Sequence, residues 1–441
     1  MSMPPMPRRT GYAVLAALAA VVILVSTAIF IGLGGDNGGS DARAQGARGS
    51  AAPASAGAWV GTWSTSAAAA EPRTLRGGLS GMSIRNVVHT SIGGTSARIQ
   101  LSNFYSNRPL TITHASVALA AAPSNPTAAA GTMRRLSFNN RTWVTIPPGK
   151  AATSDPVRLA VPDAADLLVT TYTPQASGSV TYHPHARQTS YMARGDRTED
   201  TAGSAYTQQS PYWRYLTGVD VWSKQAEGAV AVLGDSITDG ITSTAGANHR
   251  WTDFLSERLR SEPGAPRFGV LNQGISGNRV LSDGTQFPPN NPSGLSRFDR
   301  DVLSRTGVKA VIIELGVNDI LRIPHQTDPN RIVWGLKRLT EQAHARSLRV
   351  IGATLTPFYG HRGYTPRLDA VREQINAQIR AGRVFDEVVD FDKALRDPVS
   401  PLRLRPMFDS GDHLHPSDDG YRAMARALNL DHLRGRTAAE L

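Results

Sequence analysis

From about residue 226 onward, short apolar runs alternate with amphipathic segments, and this alternation constrains the fold more than any other feature of the chain. The run from Lys309 to Leu315 is almost entirely apolar, as expected for a strand that is buried on both faces. Strands that alternate with helices predict a parallel sheet covered by helices on both sides. The predicted strands lie near 229–233, 268–271, 309–315, 349–355 and 388–391, and the predicted helices near 250–260, 332–345, 368–380 and 417–430.

The segment from Trp59 to about Tyr215 has a different pattern. It consists of short runs of alternating or β-branched residues, such as Ala97 to Leu101 and Leu167 to Tyr172. Turn signals such as Pro147-Pro148-Gly149 separate these runs. Short strands at this spacing predict an all-β sandwich of the jelly-roll kind.

The N-terminus has the features of a targeting segment. Arg8 and Arg9 precede an apolar run from about Tyr12 to Leu33, and Ala42-Arg43-Ala44 then resembles a signal-peptide cleavage site. The apolar run is also long enough to span a bilayer as an uncleaved signal anchor. In both cases the bulk of the chain is expected outside the membrane, either secreted or anchored. The predicted boundaries are 1–44 for the targeting segment, 45–58 for a flexible linker, 59–225 for the sandwich domain and 226–436 for the α/β domain.

Composition excludes several classes of function. The chain has no cysteine, which rules out disulfides, thiolate catalysis and cysteine-based zinc sites. Its formal net charge of +11 would suit acidic polysaccharides, acidic surfaces or nucleic acid. The arginines are scattered rather than clustered, however, and no nucleic-acid-binding motif is present. We therefore expect no nucleic-acid partner, and a membrane partner only through an uncleaved N-terminal segment.

Candidate catalytic residues follow the predicted strands in the second half of the chain. Gly234-Asp235-Ser236 comes directly after the first strand, where a strand-to-helix turn exposes a side chain at the end of the sheet, so Ser236 is a candidate nucleophile. After the second strand, Gly274 allows a close approach of its backbone N–H to a ligand. After the third strand, the Asn318 carboxamide could donate a hydrogen bond to a developing oxyanion.

The Asp412-His413-Leu414-His415-Pro416 segment supplies a candidate base. A serine nucleophile needs a base near neutral pH, and histidine provides one when a carboxylate orients its other ring nitrogen. Asp412 and His415 are three residues apart and could meet within one turn. His413 has no partner at the same spacing, and we interpret it as a loop residue. The His183 and His185 pair could bind a metal, but nothing at a fixed offset completes a ligand set, so a partly buried strand is the preferred interpretation.

Taken together, these segments resemble the SGNH (GDSL-like) hydrolase superfamily, over about half of the chain. The resemblance implies a flavodoxin-like three-layer α/β/α sandwich. It assigns the nucleophile to Ser236, the general base and acid to His415, and the orienting carboxylate to Asp412. It places the oxyanion hole at the Ser236 N–H, the Gly274 N–H and the Asn318 side chain, and it requires no metal or cofactor. Ile237 stands where the motif has Leu, and we expect it to pack under the turn.

The front half, which opens with Trp59-Val60-Gly61-Thr62-Trp63, also resembles the β modules of exported actinobacterial SGNH proteins. The implied function is that of a serine esterase acting through an acyl-enzyme on short-chain esters, with acetylated polysaccharides as favoured partners. A lipase or lysophospholipase that acts on lipid is one alternative. A non-catalytic exported carbohydrate-binding protein is another.

Overall fold

Antiparallel sheets make up the front half of the molecule. The computed structural model describes residues 57–286 and 290–434. One sheet has the strand order β1-β16-β4-β10, with β9 also paired to β4, and another has the order β14-β13-β3-β11-β6-β7. The smaller sheets are β15-β12-β2 and β5-β8. In chain order the strands are β1 (Ala58–Ser64), β2 (Ala69–Ala70), β3 (Met82–His89), β4 (Gly94–Ser102), β5 (Leu110–Ile112), β6 (His114–Leu119), β7 (Arg134–Arg135), β8 (Val144–Ile146), β9 (Ala151–Thr153), β10 (Val157–Val161), β11 (Asp166–Thr173), β12 (Thr181–His183), β13 (Ser190–Arg194), β14 (Gln208–Ser210), β15 (Trp213–Arg214) and β16 (Leu216–Ser223).

The two larger sheets share one apolar core, which makes this half a β-sandwich. Ile84 and Val88 on β3 belong to the same buried cluster as Ile99 on β4 and Val219 on β16. Inward-facing residues alternate along each strand, as a two-sheet core requires. The β-rich part continues through β16, which follows the β-type sequence pattern that ends near Tyr215 and lies within the predicted boundaries 59–225.

A parallel sheet organises the second half. Its strand order, β18-β17-β19-β20-β21, is the doubly wound order in which the first strand lies between the second and the third. The strands are β17 (Gly228–Gly234), β18 (Phe268–Gly274), β19 (Val308–Glu314), β20 (Arg349–Ala353) and β21 (Glu387–Val389). The helices are α1 (Ser236–Asp239), α2 (Trp251–Ser261), α3 (Gly294–Phe298), α4 (Val317–Leu321), α5 (Pro329–His344), α6 (Pro366–Arg380), α7 (Phe391–Leu395) and α8 (Asp418–Ala427), with π-helix at Asp299–Leu303 and 3₁₀ turns at Pro406–Phe408 and Leu430–Leu433.

Helices cover both faces of this sheet, and β17 shows how the sequence achieves it. Ala229, Ala231 and Leu233 point to the face that α5 and α6 cover, whereas Val230 and Val232 point to the face that α2 and α8 cover. Because alternate residues of a strand face opposite sides, a strand between two helical layers must be apolar throughout. The predicted fold class, an all-β sandwich followed by a flavodoxin-like three-layer α/β/α sandwich, is confirmed.

The sandwich and the parallel sheet pack closely against each other. The described residues belong to one compact unit, and β1 lies against β18. The Gly61 N–H donates to the Thr306 carbonyl oxygen at 3.0 Å. A Cβ on Gly269 would lie only 2.1 Å from the Gly61 carbonyl oxygen, so glycine at 269 is what lets the two backbones approach. The division into separate domains at residues 225 and 226 stays a prediction.

The N-terminal predictions lie outside the described residues. They comprise the apolar run from Tyr12 to Leu33 and the Ala42-Arg43-Ala44 segment. Across 57–286 and 290–434, no helix has the length and apolar character needed to cross a bilayer.

Candidate active site

The turn after β17 places Ser236 at the carboxyl edge of the parallel sheet. Asp235 caps the short helix α1, because its Oδ1 atom accepts a hydrogen bond from the Ile237 N–H at 3.0 Å. Gly240 ends the helix with φ +87°, and its N–H donates to carbonyl oxygens of α1. Ile237 is buried in the core beneath this turn, as expected. Ser236 is itself only 7% exposed, so its hydroxyl lies at the bottom of a recess.

A hydrogen-bond relay connects Ser236 to the last loop of the chain. The Ser236 Oγ lies 2.8 Å from the His415 Nε2. The His415 Nδ1 lies 2.6 Å from Asp412 Oδ2, and the other carboxylate oxygen of Asp412 accepts the His415 backbone N–H at 2.8 Å. Because Nδ1 faces a carboxylate, it carries the hydrogen, which leaves Nε2 free to accept the proton of the serine hydroxyl.

Hydrogen bonds to His415 keep Asp412 ionised. Partial burial alone would raise the pKa of this carboxyl, but the hydrogen bonds from the His415 side chain and backbone outweigh burial and lower it. The carboxylate therefore stays charged and can orient the imidazole at neutral pH and well into the acidic range.

Asn318 joins the same site from α4, the helix that follows β19. Its Nδ2 donates to Asp235 Oδ2 at 3.1 Å, and its Oδ1 accepts from the Arg322 Nε at 3.1 Å. These contacts hold both ends of the carboxamide, so its orientation is set. One Nδ2 hydrogen points to Asp235, and the other is available for a ligand.

The structure corrects the prediction for Gly274. This residue still belongs to β18, where its N–H donates to the Asn272 Oδ1 at 2.8 Å, so it is not available to an oxyanion. A Cβ at 274 would lie 2.3 Å from the Asp239 N, which shows that the glycine serves the packing of α1 on β18. Gly277, three residues later, lines the cavity with Ser236 instead.

A cavity of about 440 Å³ opens above Ser236. The Gly277 and Ser236 backbone N–H groups have no hydrogen-bond acceptor among the described residues. The free N–H of Ser236 is one of those that the first turn of a helix leaves unpaired. The residues that line the cavity are Ser236, Ile241, Ser276, Gly277, Asn318, Leu321, Arg322, His361, Arg362, Gly363, Leu414 and His415.

Two buried acids lie beneath the nucleophile turn, and sequence reasoning missed both. Burial raises the pKa of Asp235 to about 6, although the hydrogen bond from Ile237 opposes the shift. Burial, with a further contribution from the Asp235 charge, raises the pKa of Glu314 well above its usual value. The Glu314 Oε2 accepts from the Thr238 Oγ1 at 2.9 Å. The available signal was a glutamate at the end of β19, directly after the apolar run from Ala310 to Ile313.

The remaining histidine predictions have different outcomes. His413 does have a carboxylate partner, four residues away rather than three: its Nδ1 lies 2.6 Å from Asp409 Oδ2. His413 lies in a loop, as interpreted, and it contacts Asp409 and not Ser236. His183 is buried, with its Nε2 2.8 Å from Asp239 Oδ1. Within the described part of the chain no group of three or more ligand-type side chains could hold a metal ion.

Comparison with known families agrees with this geometry. Residues 232–423 match the model of the GDSL-like lipase/acylhydrolase family, and the matched segment contains Ser236, Gly277, Asn318, Asp412 and His415. The α/β part of the chain is therefore a GDSL-like lipase/acylhydrolase domain, and the protein is a hydrolase. No curated protein matches the chain.

Several solved structures are similar to the same part of the chain. A lipolytic protein of the G-D-S-L family from Desulfitobacterium hafniense is 22% identical, with a TM-score of 0.35, over 46% of this chain and 99% of that one. A GDSL-like lipase from Bacteroides thetaiotaomicron is 21% identical, with a TM-score of 0.33, over 45% and 85%. An acetyl xylan esterase is 17% identical, with a TM-score of 0.34, over 45% and 96%.

Replacing Glu314 by Gln should change how stability depends on pH. The pKa of Glu314 is raised in the folded chain, so its contribution to stability is fully present below its unfolded pKa and is lost as pH rises through the folded value. Glutamine stays neutral and can still accept from Thr238. We expect E314Q to become more stable relative to the wild type between pH 5 and pH 8, by up to about 1.4 kcal/mol per pH unit. Urea unfolding of both proteins at pH 5 and at pH 8 measures this. The same change in the free energy of unfolding between the two pH values in E314Q and the wild type would contradict it.

Proposed function

We propose that this hydrolase is a serine esterase that acts on carboxylic esters with short acyl groups through an acyl-enzyme on Ser236. The observation that carries the proposal is the relay from Ser236 through His415 to Asp412, at one wall of a cavity that Asn318 also lines. A nucleophile, a base and an orienting carboxylate in hydrogen-bond contact are the groups that acyl transfer needs.

In the proposed reaction, His415 Nε2 takes the proton of the Ser236 hydroxyl as Oγ forms a bond to the ester carbonyl carbon. The carbonyl oxygen becomes an oxyanion, and the Ser236 N–H, the Gly277 N–H and the Asn318 Nδ2 are the donors nearest to it. Each such donor contributes roughly 3 kcal/mol of barrier lowering. His415 then returns the proton to the departing alcohol oxygen, which leaves an ester between the acyl group and Oγ. Water attacks that ester by the same steps, releases the acid and restores Ser236.

The lining of the cavity favours a small acyl group on a polar alcohol over a lipid. Ile241, Leu321 and Leu414 supply apolar surface beside the relay, while Arg322, His361 and Arg362 make the rest polar. A lipase would need a wide exposed apolar surface at its mouth. None of the large exposed apolar side chains in the described ranges lines the cavity; they are Leu75, Trp143, Ile323, Trp334, Tyr359, Val399, Leu402 and Met407. An acetylated polysaccharide is therefore the substrate we favour.

Replacing Ser236 by Ala tests the nucleophile. We expect S236A to lose hydrolysis of p-nitrophenyl acetate by at least about 10⁴-fold, because the remaining groups cannot form the acyl-enzyme. Circular dichroism should show an unchanged fold. Turnover by purified S236A at a rate near that of the wild type would contradict the proposal and would favour a different hydrolytic centre.

The charge of the cavity leads to an expectation about the substrate. Arg322 and Arg362 line the cavity, and no aspartate or glutamate lines it with them. We propose that the natural ester bears an anionic group, as acidic polysaccharides do. Replacing Arg362 by Gln should lower the ratio of kcat/KM for 4-acetoxybenzoate to that for its neutral methyl ester, on the order of fivefold.

Arg383 provides the matched control for this measurement. It is exposed and lies beyond the far end of α6, the helix whose first turn follows Gly363 of the cavity. R383Q removes the same charge about 22 Å away along that helix, so the ratio should stay as in the wild type. Equal ratios in R362Q and the wild type would show that Arg362 does not select an anionic ester.

We also propose that the chain is exported. Arg8 and Arg9, the apolar run after them and the Ala42-Arg43-Ala44 segment support this. Fractionation of cells that express the full chain should find it in the medium or on the outer side of the membrane. Accumulation of full-length protein in the cytoplasm would contradict export.

A further inference from the structure

The loop 275–278, which follows β18 and contains Gly277, is held by side chains of the α/β part that are themselves hydrogen-bonded to the β-sandwich. Its conformation determines where the Gly277 N–H points. The side chains that hold it come from residues at least 13 positions away in sequence. Asn291 connects the two sides, because its Nδ2 donates to the Ser276 carbonyl oxygen at 3.0 Å and its Oδ1 accepts from Asn278.

On one side, the buried pair of His183 and Asp239 holds Ser276. Asp239 Oδ2 accepts both the Ser276 N–H at 3.0 Å and the Ser276 hydroxyl at 2.6 Å. Asp239 Oδ1 lies 2.8 Å from His183 Nε2, and the two side chains are 3% and 2% exposed. His183 is the last residue of β12, so the sandwich reaches the nucleophile turn directly.

The neighbours of His183 determine the hydrogen-bonding roles of its two ring nitrogens. Its Nδ1 lies 2.8 Å from the Ser66 carbonyl oxygen, and its Nε2 faces the Asp239 carboxylate. Both neighbours are acceptors, so both ring nitrogens act as donors. His183 therefore supplies a buried hydrogen bond to a carboxylate that would otherwise lose a partner inside the protein, which is a costly arrangement.

On the other side, Arg297 and Asn291 hold Asn278. Arg297, fully buried, donates from Nε to Asn278 Oδ1 at 3.0 Å and from Nη1 to the Ser66 Oγ at 2.9 Å. The Asn291 Oδ1 accepts from the Asn278 Nδ2 at 2.5 Å, while the Asn291 N–H donates to the Ala68 carbonyl oxygen at 2.7 Å. Ser66 and Ala68 both lie in the sandwich. The loop is thus clamped between two parts of the chain far apart in sequence.

We propose that the β-sandwich is a working part of the catalytic centre, and that His183 is a positioning residue which, through Asp239 and Ser276, sets the direction of the Gly277 N–H. The proposal rests on the proposed esterase function. An oxyanion donor acts only when it is aimed at the place where charge develops. A displacement of about 1 Å can lower the rate by as much as 100-fold. The sandwich would then affect the rate of the chemical step without touching the substrate.

Two substitutions of His183 separate positioning from simple stabilisation. In H183Q, the side-chain amide nitrogen can occupy the place of Nε2 and still donate to Asp239. In H183N, the shorter amide can replace only Nδ1 and keeps the bond to Ser66. We expect H183N to lower kcat for p-nitrophenyl acetate by roughly 10-fold to 100-fold with little change in KM, and H183Q to retain most of the wild-type kcat.

Thr306 provides the control for a general loss of contact between the two halves. Its Oγ1 donates to Asp220 Oδ2 at 2.8 Å and accepts from the Arg98 Nη2 at 3.2 Å, away from the loop. T306V should lower the free energy of unfolding and leave kcat as in the wild type. Equal kcat in H183N and the wild type, or an equal loss in H183Q and H183N, would overturn the proposal.

Hydrogen exchange makes the test independent of esterase activity. In H183N the backbone amides of 275–278 should exchange faster than in the wild type, and in H183Q and T306V they should not. Unchanged exchange in H183N would overturn the proposal even if the protein is an esterase. Faster exchange in a protein that hydrolyses no ester would refute the proposed function alone. If H183N does not fold, S66A removes the hydrogen bonds of the Ser66 hydroxyl to Arg297 and Gln273, and it should give the same faster exchange at 275–278.

Discussion

The buried carboxylate of Asp235 is the interaction on which the geometry of the site depends. One of its oxygens caps α1 and so sets the turn that presents Ser236. The other oxygen accepts from the Asn318 side chain and so sets the direction of an oxyanion donor on a different helix. Burial raises the pKa of Asp235 to about 6, which is the energetic cost of placing a charge below the nucleophile. Burial and the Asp235 charge raise the pKa of the neighbouring Glu314 well above its usual value, which favours the neutral form of Glu314 beside the Asp235 carboxylate.

Local patterns in the sequence were sufficient to predict the fold and most of the site. The apolar run of β19 predicted a strand buried on both faces, because that pattern depends only on side-chain alternation and burial. The contact between Asp412 and His415 spans three residues and could be predicted from their spacing. His413 lies in a loop as interpreted, but its carboxylate partner Asp409 is four residues away, a spacing that had not been considered.

The error at Gly274 has a specific physical cause. Asn272 and Gln273 are polar and indicate the end of a strand, so the loop was placed too early. In the structure β18 continues through both residues, because Gln273 is fully buried and its amide is paired with Ser64 and Ser66 of the sandwich. The Ser66 hydroxyl, 207 residues earlier in the chain, donates a hydrogen bond to the Gln273 side chain. No local sequence pattern reveals this contact. The pairing of His183 with Asp239 was hidden for the same reason.

The most direct test of the central claim is labelling of the intact protein by a fluorophosphonate, followed by mapping of the modified peptide by mass spectrometry. The reagent reacts with a serine that a neighbouring base activates, as His415 is positioned to do for Ser236. We predict a single adduct per chain, located on Ser236. An adduct on a different serine, or no adduct on folded protein that hydrolyses esters, would contradict the account.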